Sequence, residues 1–327
     1  MSAEPTPAEP VLSHRSERSV LDDPAGLQPF AVNGRKRLAT CSGVSWFHHH
    51  HLAVANLYGS HVRIYRFDPA AARLELLHEL REGISYPEDV AVSPDGRWLA
   101  VTHSLSESAR LSLHRLEEGS LRPVPGGETV RPGRTFHGVR FTPDSRHLAF
   151  TDIGSPGYVE VVRTGSWETT TRLENLHAPL KPKCAAFSAD GLFAAIAGAP
   201  NASQREGSAP ATGSLALHRF DARTGAIAAD PLCRLSGPDA PLVNPEMCTF
   251  LPSSSSGDPS RRILIADQAQ DAVLEIAFEA GPATLRFTGT FAADLSFPHG
   301  IDASADGRFV AITSYGDDTL RICRILP

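Results

Sequence analysis

An all-β fold, a six-bladed β-propeller with four-stranded blades, is what this sequence predicts, and three observations predict it. A turn-centred segment recurs six times. Each copy alternates apolar and polar residues on either side of a Pro-Asp-Gly-type turn, as a half-buried hairpin does. The copies also start at blade-sized intervals, 46 to 63 residues apart. Composition agrees, because 26 Gly and 26 Pro in 327 residues with 41% hydrophobic residues describe a turn-rich chain with ample material for a core.

The clearest copies are residues 86–102 (YPEDVAVSPDGRWLAVT), 136–151 (FHGVRFTPDSRHLAFT) and 297–313 (FPHGIDASADGRFVAIT). A fourth begins at Pro182. Weaker copies begin at Pro245, where residues 251–261 expand the turn with a Ser-rich insert, and near Cys41 and Ser42, where histidines 48–50 occupy the turn. A third strand follows each hairpin, as in His61-Val-Arg-Ile-Tyr65 and Thr319-Leu-Arg-Ile322, and in the first five copies a fourth precedes the next repeat, as in Leu74-Glu-Leu-Leu77. The last copy lacks a fourth strand of its own, which leaves an edge to be covered. Residues 27–32 (LQPFAV) are expected to supply that strand and close the ring. Residues 1 to 25 are expected to be a disordered tail before a single propeller domain over 26–327, and residues 199–213, rich in Ser, Ala and Gly, an excursion on one face.

Charge and motifs narrow the function. A net charge of −6 argues against a nucleic-acid or anionic-membrane surface, and no apolar run approaches ~18 residues, so a small-molecule or protein partner is expected. The N-terminus does not read as a secretory signal, and five scattered cysteines without CxxC spacing suit reduced thiols, so a cytoplasmic setting is expected. No GxSxG, HExxH, P-loop or GxGxxG occurs, and no nucleotide cofactor is expected.

Hairpin geometry brings chemistry together. The first residue of one strand lies beside the last of the next, so counting outward from each turn pairs His137 with Asp152, Glu88 with His103, Lys183 with Gly198, Glu246 with Asp267 and His299 with Ser314. One rim of the channel would then gather these side chains with Asn56. In the first blade, gapless pairing sets Cys41 opposite Asn56, whereas apolar alternation favours Ser42 at the rim position. Three readings of the rim stand. Glu88, His137, Glu246, Asp267 and His299 are the ligand types of a first-row divalent metal. His137, oriented by Asp152, and His299 are alternatively a metal-free base and acid. The third reading is a merely hydrated channel mouth. Lys183, one of only three lysines, suits a substrate carboxylate or, with a lowered pKa, a base; Tyr315 and Tyr58, in matching Tyr-Gly turns, suit either proton donation or packing between blades. Histidines 48–51 fall at the opposite rim, and Cys184 and Cys248 read as small core residues.

The pattern Pro-x-Gly-x-x-x-Ser-x-Asp-Gly-Arg-x-x-Ala-x-Thr at residues 298–313 resembles the repeats of YVTN and lactonase-type β-propellers. The phrase Pro298-His299-Gly300, followed by Tyr315-Gly-Asp-Asp318, is similar to a repeat of the 6-phosphogluconolactonase-like group. That resemblance implies a substrate cleft bordered by His299 and by Asp317 or Asp318, although that group has seven blades. Six-bladed relatives of the gluconolactonase and senescence-marker type hold a divalent cation with Asn and Asp partners. Asn56, Glu88, Asp152, Glu246 and Asp267 occupy similar kinds of position here, while two histidines favour a softer metal than calcium, or none. The implied function is a small-molecule hydrolase or lyase, lactonase-like, with a non-catalytic propeller that binds a protein or peptide as the alternative.

Overall fold

The computed structural model describes residues 10–15, 30–32, 35–37, 41–104, 109–124, 127–132, 135–176, 180–200, 212–237, 240–252 and 260–325. Six antiparallel sheets are arranged about one axis, and their inner strands are Cys41–Phe47, Pro87–Val92, Phe136–Phe141, Lys181–Phe187, Pro245–Phe250 and Pro298–Ala303. Each inner strand lies against the next, and the sixth lies against the first. Blades 1, 2, 3 and 5 are four-stranded meanders; in blade 4 the outer position is split between Ala226–Ile227 and Cys233–Leu235, both paired with Ser214–Asp221. The expected third strands all form in place.

Turns repeat as the sequence does. Ser93 donates its hydroxyl to Asp95 and accepts from the amides of Arg97 and Trp98, and Ser304 repeats the arrangement with Asp306, Arg308 and Phe309. Gly96 and Gly307 then take the left-handed backbone (φ 71° and 68°) that the turn demands. In blade 1 the turn is made instead by His48 and His49, both left-handed at φ 43° and 56°, on the rim opposite the candidate site.

Blades pack face to face through apolar layers. Blade 1 meets blade 6 through Trp46, which stacks on Phe309 at 6.1 Å, and Phe67, which meets Phe309 edge-on at 5.2 Å. Burial of such rings removes 150 Å² or more of each from water, roughly 25 cal/mol per Å². The segment expected to supply the sixth blade's outer strand does not do so in its described part: Phe30–Val32 pairs with Arg35–Arg37, a neighbour so near in sequence that the loop costs little entropy. On its outer side Thr319–Arg324 pairs antiparallel with Pro10–Arg15. Of the tail expected over residues 1–25, only that strand is among the described residues, and most of the excursion expected at 199–213 lies outside them.

Several histidines are buried between strands. His103 bonds the Ser85 carbonyl through Nδ1 at 2.7 Å and faces Ser112 Oγ through Nε2 at 2.8 Å; burial, only partly offset by the Ser85 bond, lowers its pKa from 6.5 to about 3. Burial likewise lowers His61 to about 4. A base whose folded pKa lies below its unfolded one contributes full stability above the unfolded value and loses it as pH falls towards the folded value. Between pH 6.5 and 4 each such histidine should therefore cost up to about 1.4 kcal/mol per pH unit. Urea unfolding from pH 7 to 4 should show this loss, with a shallower slope in His103→Gln; an equal slope would refute it.

Candidate functional site

The site is built by a bulge. Away from the rim the hairpins pair as turn counting requires, Val139 with Phe150 and Val90 with Val101. At the rim every inner strand carries one extra residue, so the partner of Asp152 is Phe136, that of His103 is Pro87, that of Asp267 is Pro245 and that of Ser314 is Pro298. The expected pairs are thus displaced by one residue. A bulge bends its strand and re-aims the residue it contains, and here that residue is Glu88, His137, Lys183, Glu246 or His299. The same shift settles the first blade: Cys41 pairs with Asn56, and Ser42 holds the position equivalent to Glu88.

Threonines at the end of the second strand make the bulge affordable in hydrogen bonds. Thr151 Oγ1 accepts from Gly138 N at 2.8 Å and donates to Lys183 O at 2.8 Å. Thr102 serves Asp89 N (3.1 Å) and His137 O (2.6 Å), and Thr313 bridges Gly300 N and Ser42 O. Each hydroxyl satisfies a bulge amide and ties the next blade's site residue in place. Gly138 is required by the approach of that next strand, since a Cβ there would lie 2.7 Å from Lys183 O.

Five of the re-aimed side chains meet. The ligand atoms of Glu88, His137 and His299 lie within 4.8 Å of one another, all buried. Glu88 Oε1 is 3.1 Å from His299 Nε2 and 3.5 Å from His137 Nε2. Glu246 Oε2 is 3.1 Å from His137 Nε2, 4.0 Å from His299 Nε2 and 2.9 Å from Lys183 Nζ. Tyr315 donates its hydroxyl to Glu88 Oε1 at 3.1 Å and stacks on His299 at 4.3 Å, so it both packs and bonds. Tyr58 instead meets Tyr86 edge-on at 6.2 Å.

His137 Nδ1 faces the Lys183 carbonyl at 2.9 Å, so this nitrogen donates and the ring turns Nε2 into the cluster. The expectation that Asp152 orients His137 gives way to this backbone bond, because both ring nitrogens are taken up elsewhere. Asp152 Oδ1 accepts from Gly154 N at 2.6 Å. Asp267 is likewise an anchor, accepting from the amides of Val243, Asn244 and Ala269. Asp318 accepts from Cys41 N at 3.1 Å and Asp317 from the Thr319 hydroxyl, which fixes the last turn and its junction with blade 1. Asn244 is the residue sequence reasoning missed: its Nδ2 donates to Glu246 Oε1 at 2.7 Å. Its place two residues before the blade-5 rim residue, beside Pro245, was the available signal.

Burial would raise both carboxyl pKa values, yet neighbours overrule it. His299 and His137 bring Glu88 down to about 2, and Lys183 with the two histidines holds Glu246 well below the usual range. Burial lowers His299, but Glu88 and Glu246 lift it above its ordinary value. Burial, then Glu88 and Glu246, push the Tyr315 phenol well above 10. A first-row metal with bonds of about 2.0–2.1 Å keeps adjacent ligand atoms roughly 3 Å apart, and the Glu88 contacts match. His299 Nε2 lies 3.1 Å from Glu88 Oε1 and 4.0 Å from Glu246 Oε2, and its Nδ1 meets no hydrogen-bond partner among the described residues. A buried carboxylate and two imidazoles whose ligand atoms converge are a donor set that fits a divalent metal.

Comparison with solved structures agrees on the class, a β-propeller: the chain is similar to a chain of hydrazine synthase from Kuenenia stuttgartiensis (TM-score 0.60, 15% identity, 87% of this chain and 83% of that one). The periplasmic gluconolactonase PpgL of Pseudomonas aeruginosa is also similar (TM-score 0.56, 20% identity, 88% and 81%), as is a functionally unknown protein from Desulfotomaculum acetoxidans (TM-score 0.54, 14% identity, 82% and 73%). No protein-family model matches the chain, and no curated protein matches its sequence. At these identities the likeness is one of fold.

Thr151→Val keeps the shape and removes both hydrogen bonds, leaving the buried Gly138 amide unpaired and the Lys183 carbonyl with only its bond from His137. It should cost about 1–3 kcal/mol in unfolding free energy, measured by urea titration, whereas Thr170→Val, at a half-buried outer strand, should cost less. An unchanged Thr151→Val stability would show that the bulge does not need its bracket.

Proposed function

We propose that this protein is a small-molecule hydrolase or lyase of lactonase type, acting at the channel mouth with a divalent metal held by Glu88, His137 and His299. The observation that carries the reading is the convergence of those three ligand atoms within 4.8 Å, from three different blades. The fold's likeness to a periplasmic gluconolactonase supports the choice of a lactone as substrate. The net charge of −6 accords with a small molecule rather than a nucleic acid as partner, and the five free cysteines accord with a reducing, cytoplasmic setting.

When bound, the metal would supply a Lewis acid for a carbonyl and a water acidified towards neutral pH. The remaining tasks fall to the chain. Lys183 is only partly buried, with 13% of its side chain exposed, and its ammonium is placed to hold the carboxylate that ring opening creates. Glu246, kept ionised by Lys183 and His137 and oriented by Asn244, fixes that ammonium at the mouth. Tyr315 is a positioning residue that holds Glu88 by hydrogen bond and His299 by stacking.

A second reading has its own observation. Lys183 and a His299 lifted above its ordinary pKa already balance the charges of Glu88 and Glu246, so the cluster approaches neutrality without a metal and suits metal-free acid–base catalysis.

Metal analysis of the purified protein should find one equivalent, lost in His137→Ala and His299→Ala together with on the order of 100-fold or more of lactone hydrolysis followed by proton release. Asp152→Ala should keep the metal. Activity that survives chelation and metal-free preparation would overturn the metal reading in favour of acid–base catalysis, and no turnover across aldono- and aryl-lactones would remove the lactonase reading. Lys183→Met should keep the metal while lowering kcat/KM on the order of 100-fold; an unchanged kcat/KM would exclude the lysine from the reaction.

A further inference from the structure

The channel has a second mouth, on the hairpin-turn face, which the proposed function does not use. There a cavity of about 290 Å³ is walled by Trp46, Phe47, Phe141, Phe187 and Phe250 from blades 1, 3, 4 and 5. Its floor is the layer three residues after the rim positions, where Ser45, Arg140, Thr249 and Asp302 are the polar lining residues. Arg140 separates this cavity from the Glu88 site: its guanidinium pairs with Asp89 at 3.2 Å and crosses the axis to Ile301 O at 3.0 Å.

The floor is not charge-balanced. Asp89 and Asp302 are two carboxylates facing one guanidinium, and Arg140 is committed to Asp89. Asp302 accepts from Trp46 N (2.7 Å), Ala303 N (3.0 Å) and the Thr249 hydroxyl (3.2 Å), but no salt bridge reaches it among the described residues. Three neutral donors fix the carboxylate without cancelling its charge, and a carboxylate at an apolar wall is stabilised by a cation brought to it. Burial, the larger effect, holds Asp302 above the usual carboxylate range despite Arg140, which is the cost that such a cation would relieve.

We propose that this cavity is a binding site for a small organic ammonium, an aryl or short alkyl body seated among the five aromatic rings with its charged head on Asp302. Aromatic faces around a cation add to the attraction. Size agrees, since a dry cavity of about 150 Å³ holds a benzene ring, and the volume here leaves room for a ring with a short ammonium arm. The site is independent of the chemistry proposed for the other mouth.

The test is calorimetric titration of the full chain with 2-phenylethylammonium, with 2-phenylethanol and 3-phenylpropionate as neutral and anionic counterparts of similar size. The ammonium should bind once per chain, with a Kd of about 1 mM or tighter, and the other two at least about 10-fold more weakly. Asp302→Asn should weaken the ammonium by about 10-fold or more. Ala189→Trp, at an exposed position on the cavity mouth, should block it, and His137→Ala should leave it unchanged. No binding by the wild-type chain, equal binding of amine and alcohol, or full binding in Asp302→Asn would overturn the proposal. Should Asp302→Asn fail to fold, binding retained in Ala189→Trp would overturn it as well.

Discussion

The close approach of six inner strands around one axis is the constraint on which the rest depends. Strands that converge so tightly cannot run as regular ladders to the rim, and each inserts an extra residue there. The insertion leaves an amide without a ladder partner, and in three blades a threonine hydroxyl takes it and passes its own proton to the next blade. One small side chain thus joins the local backbone problem to the global ring. The same step turns the rim residue towards the axis, so fold and site share a cause.

Burying two glutamates beside two imidazoles and one lysine is costly unless their charges are mutually arranged. Here Glu88 is matched by His299, His137 and the Tyr315 hydroxyl, and Glu246 by Lys183, His137 and Asn244. Neither carboxylate could be kept ionised by its own strand. Each draws its charged partners from other blades, and the arrangement is stable only when the ring is complete. That coupling suits a reactive site, because the groups are held apart from bulk water by a structure that does not have to move.

Arg140 divides the channel. Its bonds to Asp89 on one side and Ile301 O on the other place a guanidinium where an apolar core would otherwise have to fill a narrow tube. The result is two mouths of opposite character. One is ionic and crowded; the other is walled by aromatic rings, with Arg140 and Asp302 on its floor.

The number of blades, the hairpins and the identity of the rim residues were legible in the sequence because they rest on local regularities: a period of alternation, Asp-Gly turns, and a repeat that marks equivalent positions. Glu88, His137, Lys183, Glu246 and His299 followed from that equivalence alone. What the counting could not reach was the bulge, since an extra residue leaves no compositional mark, and so Asp152 and Asp267 were paired with the wrong partners and given roles in the site. The last blade's outer strand was misplaced for a related reason, as any short apolar segment suits an open edge and only the folded ring selects between them. Sequence by itself determined which side chains stand at the axis, because periodicity is written residue by residue. Tertiary structure alone decided which of them touch, because distance across a ring depends on twist, bulges and packing summed over all six blades.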